Sequence, residues 1–192
     1  MTNKDILDDL TIFSSENYQD DLTAKERYFS MFLDHVILCG TLLPLIFLGY
    51  FLNQNSQFVD LLLLISTFTI YLSKDFLKGR SVAKRITGQV VIDQITGLPA
   101  SEIKCVIRNL TIPVWLIEII GVGVTPNKRI GDSLAGTKVV RTSKAPGISI
   151  FTDIKTYRPS IKLLLSLLIA IGYTLLVFGP FDMVSMLQEM LA

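Results

Sequence analysis

Hydrophobic residues along this chain gather into four runs, and the lengths of those runs predict helices built to cross a bilayer. Phe29 to Leu52 is 24 residues, about 36 Å as a helix at ~1.5 Å per residue, which exceeds a ~30 Å hydrocarbon core and leaves room for tilt. Asp34, His35 and Pro44 interrupt it. The uncharged turn-forming stretch Asn53-Gln54-Asn55-Ser56-Gln57 follows, then an apolar run from Phe58 to Leu72 that reaches crossing length only by extending towards Leu77. These two segments read as a membrane hairpin. Val106 to Val124 is apolar but carries Pro113, Glu118, Gly121 and Gly123, and Leu163 to Phe181 is an unbroken apolar run.

Two polar stretches separate the later runs, and their charge sets the orientation. Ser73 to Lys104 holds Lys74, Lys78, Arg80, Lys84, Arg85 and Lys104; Thr125 to Ser160 holds Lys128, Arg129, Lys138, Arg141, Lys144, Lys155 and Arg158. Because cytoplasmic loops concentrate Lys and Arg, both stretches are placed in the cytoplasm and the 53–57 loop outside. A full crossing at 106–124 would put the second basic stretch outside. A broken, re-entrant hairpin there keeps both inside. Gln89-Val90-Val91-Ile92-Asp93 and Thr137-Lys138-Val139-Val140-Arg141 have the β-branched character of strands and are expected to pair into a small sheet. The fold class that follows is all-α membrane: a helical bundle of three to four membrane segments, at about 29–52, 58–77, 106–124 (crossing or re-entrant) and 161–181, with a small cytoplasmic β element. Residues 1–26, with seven acids against two lysines, form an acidic cytoplasmic N-terminal segment ahead of the 27–192 membrane domain. Ile6, Leu7, Leu10 and Phe13 recur there at helical spacing, as an amphipathic helix or a loosely held tail.

Composition agrees with the pattern and removes other classes. Half of the residues are hydrophobic, only 18% are charged, and the mean hydropathy is +0.50, which leaves too little polar surface for a water-soluble globule. A net charge of +1 excludes a basic nucleic-acid binder. Cys39 and Cys105 lie in or beside apolar runs without metal or redox spacing and read as small buried residues, and the single histidine, His35, leaves no His/Cys metal site and no Ser/His/Asp triad. No enzyme, cofactor or metal is expected.

Chemistry therefore rests on Arg, Lys, Asp and Glu. Arg27 and Asp34 are two helical turns apart on one face, which puts the carboxylate of Asp34 at membrane depth, where it faces either a basic partner that locks helices together or a polar cavity and a transported ion. His35 points about 100° away around the helix, as a packing or interfacial residue rather than a proton relay. Arg80, Lys84 and Arg85 read as interfacial cations on anionic lipid head groups or as site residues. Asp132 follows Lys128 and Arg129 in a segment with small residues that permit close packing. Glu118 is a second acid at membrane depth and a weaker candidate, with Arg80 and His35, for contact with an ion or proton.

Three segments together resemble the RDD family of bacterial integral membrane proteins, named for an Arg and two Asp residues: Arg27-x-x-Ser30-x-x-x-Asp34, then Gly79-x-Ser81-x-Ala83-Lys84-x-x-x-Gly88 leading into Val91-Ile92-Asp93, then Asp132-x-x-Ala135-Gly136-Thr137-x-Val139-Val140. The resemblance covers about 27–140. It implies a multi-pass protein of the bacterial cytoplasmic (inner) membrane with Arg27, Asp34, Lys84 and Asp132 as a charge cluster, and small-solute or monovalent cation/proton transport through membrane-embedded carboxylates. The residues themselves leave open the alternative of a non-catalytic accessory or assembly subunit, with a homo-oligomer or membrane-protein partner, in which the charges form a structural clasp. The sequence departs from the family at Ser30, Ser81 and Ala83, and at Gly131, which stands where a His commonly precedes the second Asp and so removes a proton carrier. The expected cluster of two acids and two bases is charge-balanced.

Overall fold

A computed structural model describes residues 18–52, 57–111, 115–125 and 127–191. The amphipathic reading of the first residues and most of the uncharged 53–57 loop lie outside the described residues.

Among the described residues, two helices are long and apolar enough to cross a membrane. The first, α1 (Ala24–Leu52), contains the candidate span Ala24–Gly49; the last helix, Ile161–Leu191, contains the second, Ile161–Gly179. Only 11% and 17% of their most apolar windows are buried inside the protein, where the core helix of a soluble domain would be mostly buried. Phe29, Phe32, Phe47 and Phe51 on α1, and Leu168 and Leu176 on the last helix, are exposed. Apolar surface of that extent is suited to an apolar medium. Pro44 inside α1 removes one backbone hydrogen bond, and its ring crowds the carbonyl of residue 40, where Gly40 supplies no side chain and meets nothing within 4 Å.

Between them runs a shorter apolar helix and a compact polar assembly. α2 (Gln57–Leu72) packs against α1 and the last helix, with the rings of Phe68 and Phe178 at 4.4 Å. At 16 residues it is about 24 Å long. The expected extension to Leu77 does not occur: residues 73–79 are turns, and Asn109 Nδ2 donates to the Leu72 carbonyl at 2.8 Å, satisfying one of the helix's terminal acceptors. Chain order then gives α3 (Val82–Thr87), β1 (Gln89–Asp93), α4 (Glu102–Asn109), α5 (Trp115–Val124), α6 (Ile130–Ala135), β2 (Thr137–Arg141), α7 (Ser149–Thr156) and α8 (Ile161–Leu191).

The apolar run 106–124 is thus divided between two helices rather than forming one. Arg108 and Asn109 are buried at the end of α4, and α5 has ten residues, about 15 Å, too few to cross. Its flanking helices α4 and α6 pack on each other, and Tyr28 near the start of α1 donates to the Ile119 carbonyl at 2.8 Å. The two helices that flank α5 therefore lie side by side, and α5 itself lies against the start of α1.

The two strands pair as expected, and the pairing is antiparallel, Gln89 opposite Arg141 and Asp93 opposite Thr137, with Val91 facing Val139 at the centre. Each strand is reached in the same way. A six-residue helix ends at a glycine in the left-handed region, Gly88 (φ 69°) or Gly136 (φ 63°), whose N–H closes the helix, and a five-residue strand follows. The two helix-glycine-strand units are related by a local pseudo-twofold through Val91 and Val139. Lys84 and Asp132 are both third residues of their helices and occupy equivalent positions. One sheet face packs Val91 and Val139 on Leu22, Ala100 and Cys105; the other packs Val90, Ile92 and Val140 on Tyr18. Gln19 bridges to Arg141 and Pro99 to Ile92, so both sheet edges are covered.

Candidate functional site

Most of the buried charges form one alternating chain of ion pairs. Lys74 Nζ lies 3.5 Å and Lys84 Nζ 3.0 Å from Asp34 Oδ2; Lys84 Nζ also reaches Asp75 Oδ1 at 2.8 Å. Asp75 Oδ2 accepts from Arg108 Nη1 at 2.7 Å, and Arg108 Nε donates to Asp132 Oδ1 at 2.6 Å. Asp132 Oδ2 closes the chain, 3.5 Å from Arg27 Nη2 and 3.8 Å from Arg129 Nε. Asp34 and Arg27 are both on α1, so the chain starts on that helix, passes through the 73–79 turn, α3, α4 and α6, and returns to it. Asp75, Arg108 and Asp132 have no exposed side-chain surface.

Local structure explains how each group is delivered. Ser81 accepts from the Lys84 backbone N–H and starts α3, aiming Lys84 at both carboxylates. Asp132 accepts from the Arg129 backbone N–H at 3.2 Å and from Thr137 Oγ1 at 3.1 Å, which fixes it at the start of α6. Gly131 lets α6 approach α4: a Cβ there would lie 2.0 Å from the Arg108 carbonyl oxygen. The histidine of the resembled family has no room at this position. Arg129 Nη2 donates to Asn109 Oδ1 at 2.6 Å, and Arg27 Nη1 to Gln89 Oε1 at 3.4 Å, joining the charges to α4 and β1.

The network differs from the sequence expectation in its members and its balance. Arg27 and Asp34 share one face of α1 as expected, but they are opposite ends of the chain; Arg27 pairs with Asp132. Lys84 and Asp132 belong as expected. Asp75, Arg108, Lys74 and Arg129 are central members beyond the expected four. Among the described residues, five cations surround three carboxylates, so the cluster is not balanced but carries two surplus positive charges. Burial alone would raise the Asp75 and Asp132 carboxyls. Lys84, Arg108 and Lys74 overcome it and hold Asp75 far below the usual carboxylate range, while Arg108, Arg129 and Arg27 hold Asp132 at about 2. Burial lowers the Lys74 ammonium to about 8 against the pull of Asp34.

The weaker candidates lie elsewhere. His35 Nδ1 donates to the Met31 carbonyl, so its Nε2 accepts from the Tyr71 hydroxyl; it bridges α1 and α2 beside the network without joining it, since Lys74 Nζ lies 4.9 Å from the centre of the Tyr71 ring. Arg80 donates to the Ser143 carbonyl at 2.7 Å. Arg85, expected at lipid head groups, is buried instead with Asp153 at 2.6 Å and Ser149 at 3.1 Å. Cys39 is exposed rather than buried, because its side of α1 has no protein against it; Cys105 is buried. The side chain of Glu118 lies outside the described residues.

A cavity of about 360 Å³ meets the network at Asp34, between α1, α2, α3, α7 and α8. Among the described residues no group of three or more His, Cys, Asp or Glu could hold a metal ion. Comparison with models of known families, with curated proteins and with solved structures finds no match.

Proposed function

We propose that this chain is a non-catalytic accessory or assembly protein of the bacterial inner membrane, whose buried charges clasp its membrane helices to a cytoplasmic sheet, in keeping with its resemblance to the RDD family. The observation that carries this reading is that each of Asp34, Asp75 and Asp132 is held by at least two cations. A cation site needs carboxylate in excess; here the excess is positive, and a further cation entering it would meet net repulsion. In the proposed topology α1, α2 and α8 are the membrane segments, 106–124 re-enters, and the basic stretches face the cytoplasm.

Monovalent cation or proton transport is the second reading, favoured by one observation: Asp34, unlike Asp75 and Asp132, borders a cavity. Flux measurements on the full chain in proteoliposomes separate the two. The clasp reading expects no sodium, potassium or proton movement above that of protein-free vesicles. Flux that disappears in Asp34→Asn would overturn it and establish transport.

A further inference from the structure

The cavity bordering Asp34 has an apolar body and a polar end. Ile37, Leu38, Ile70, Leu163 and Leu167 line the body, and Ser73, Lys74 and Thr69 stand with Asp34 at the other end. Ser73 Oγ and Thr69 Oγ1 are buried without a hydrogen-bond partner, and Ser73 is 7% exposed. An unpaired buried hydroxyl costs free energy that a ligand acceptor would recover. Lys74 Nζ lies farther from Asp34 (3.5 Å) than Lys84 Nζ does (3.0 Å), and Asp34 answers both ammonium groups with one oxygen.

We propose that this cavity binds one acyl chain of an anionic phospholipid, with the phosphate of its head group at Lys74, Ser73 and Thr69. Three arguments converge on that occupant. The volume lies in the range of ligand sites, about 300–1,000 Å³, and its apolar lining suits a hydrocarbon chain rather than a water-soluble molecule. Two of the elements that wall it, α1 and α8, expose large apolar side chains on their outer faces, which suits a ligand drawn from a bilayer. At the polar end two ammonium groups, Lys74 and Lys84, share a single carboxylate oxygen of Asp34, so an anionic head group supplies the second negative partner that a net-neutral zwitterionic one does not. The low Lys74 ammonium value agrees, since a phosphate beside it would restore the charged form. This inference stands apart from the clasp reading, because the cavity's shape and charge are the same whatever the network does.

Native mass spectrometry of the delipidated full chain in detergent tests it, with dioleoyl phosphatidylglycerol, dioleoyl phosphatidylcholine and inorganic phosphate as probes. One phosphatidylglycerol per chain is expected to be retained at least tenfold more strongly than phosphatidylcholine. Leu167→Trp or Leu38→Trp, which fill the body, should abolish retention of both lipids, with thermal melting in the same detergent confirming the fold of at least one variant. Ser73→Ala should weaken phosphatidylglycerol binding several-fold, and Lys74→Gln should bring the two lipids to parity. Equal retention of both lipids by the parent, retention unchanged in the folded cavity-filling variants, or displacement by inorganic phosphate alone would each overturn the proposal.

Discussion

Arg108 lies between two carboxylates, 2.7 Å from Asp75 and 2.6 Å from Asp132, with no exposed side-chain surface on any of the three. Desolvating three ions is costly, and the cost is met only while each keeps its partners. Arg108→Met therefore leaves two buried carboxylates short of a cation and should destabilise by about 3–5 kcal/mol, as breaking a buried pair typically does. Arg108→Met combined with Asp132→Leu should cost less than the sum of the singles, and a cycle measured by denaturant unfolding in micelles reads the difference. Additive losses would show that the two groups are not coupled. The pH dependence has a definite sign. The folded Asp132 carboxyl is held at about 2, below its ordinary value of 3.8, so the stability it contributes is fully present above about pH 4. That stability is lost as pH falls through 2, and the coupling in the cycle should fade over the same window.

At the scale of elements, the two helix-glycine-strand units enter the sheet from opposite ends and place Lys84 and Asp132 in the same network. The strands were legible because β-branched runs announce themselves locally. The charges of Arg27, Asp34, Lys84 and Asp132 were legible through helical spacing and the family resemblance. Asp75 and Arg108 were not, since Arg108 stands inside a run whose average is apolar and Asp75 in a turn read only as part of a basic stretch. Their partners are distant in sequence, and no local period encodes such a contact. One signal was available: Glu102, Lys104 and Arg108 give α4 polar positions that a membrane helix would not carry. The close approach of α6 to α4 makes a further prediction. Gly131→Ala puts a Cβ 2.0 Å from a backbone oxygen, which no rotamer change can relieve, and should cost several kcal/mol by parting Asp132 from Arg108. Gly172→Ala, in α8 with nothing within 4 Å, should instead be neutral or stabilise by about 0.5–1 kcal/mol. Thermal melting of both variants in one detergent provides the comparison, and equal effects would contradict the packing.

On the scale of the whole molecule, the ion-pair chain gathers at one end of the bundle. The start of α1, the end of α2, both ends of the 106–124 segment and the sheet meet there. That end carries the basic stretches, whereas the 53–57 loop between α1 and α2 has no charge, and the proposed topology follows the positive-inside bias in placing the sheet in the cytoplasm. Exposed apolar side chains on α1 and α8 then face lipid. Single-cysteine labelling checks this arrangement. Cys39 is exposed and must be replaced, while Cys105 can remain, because burial pushes its thiol well above the usual range and keeps it unreactive. Ser56→Cys should react with a membrane-impermeant maleimide in intact cells. Ser143→Cys, next to β2 and exposed, should react only after the membrane is opened. Labelling at 143 in intact cells would make 106–124 a true crossing and place β2 outside, which the antiparallel pairing of Val91 with Val139 in one sheet does not permit while β1 stays in the cytoplasm. That outcome would overturn the topology and the sheet together, since two strands hydrogen-bonded to each other cannot lie on opposite sides of a bilayer.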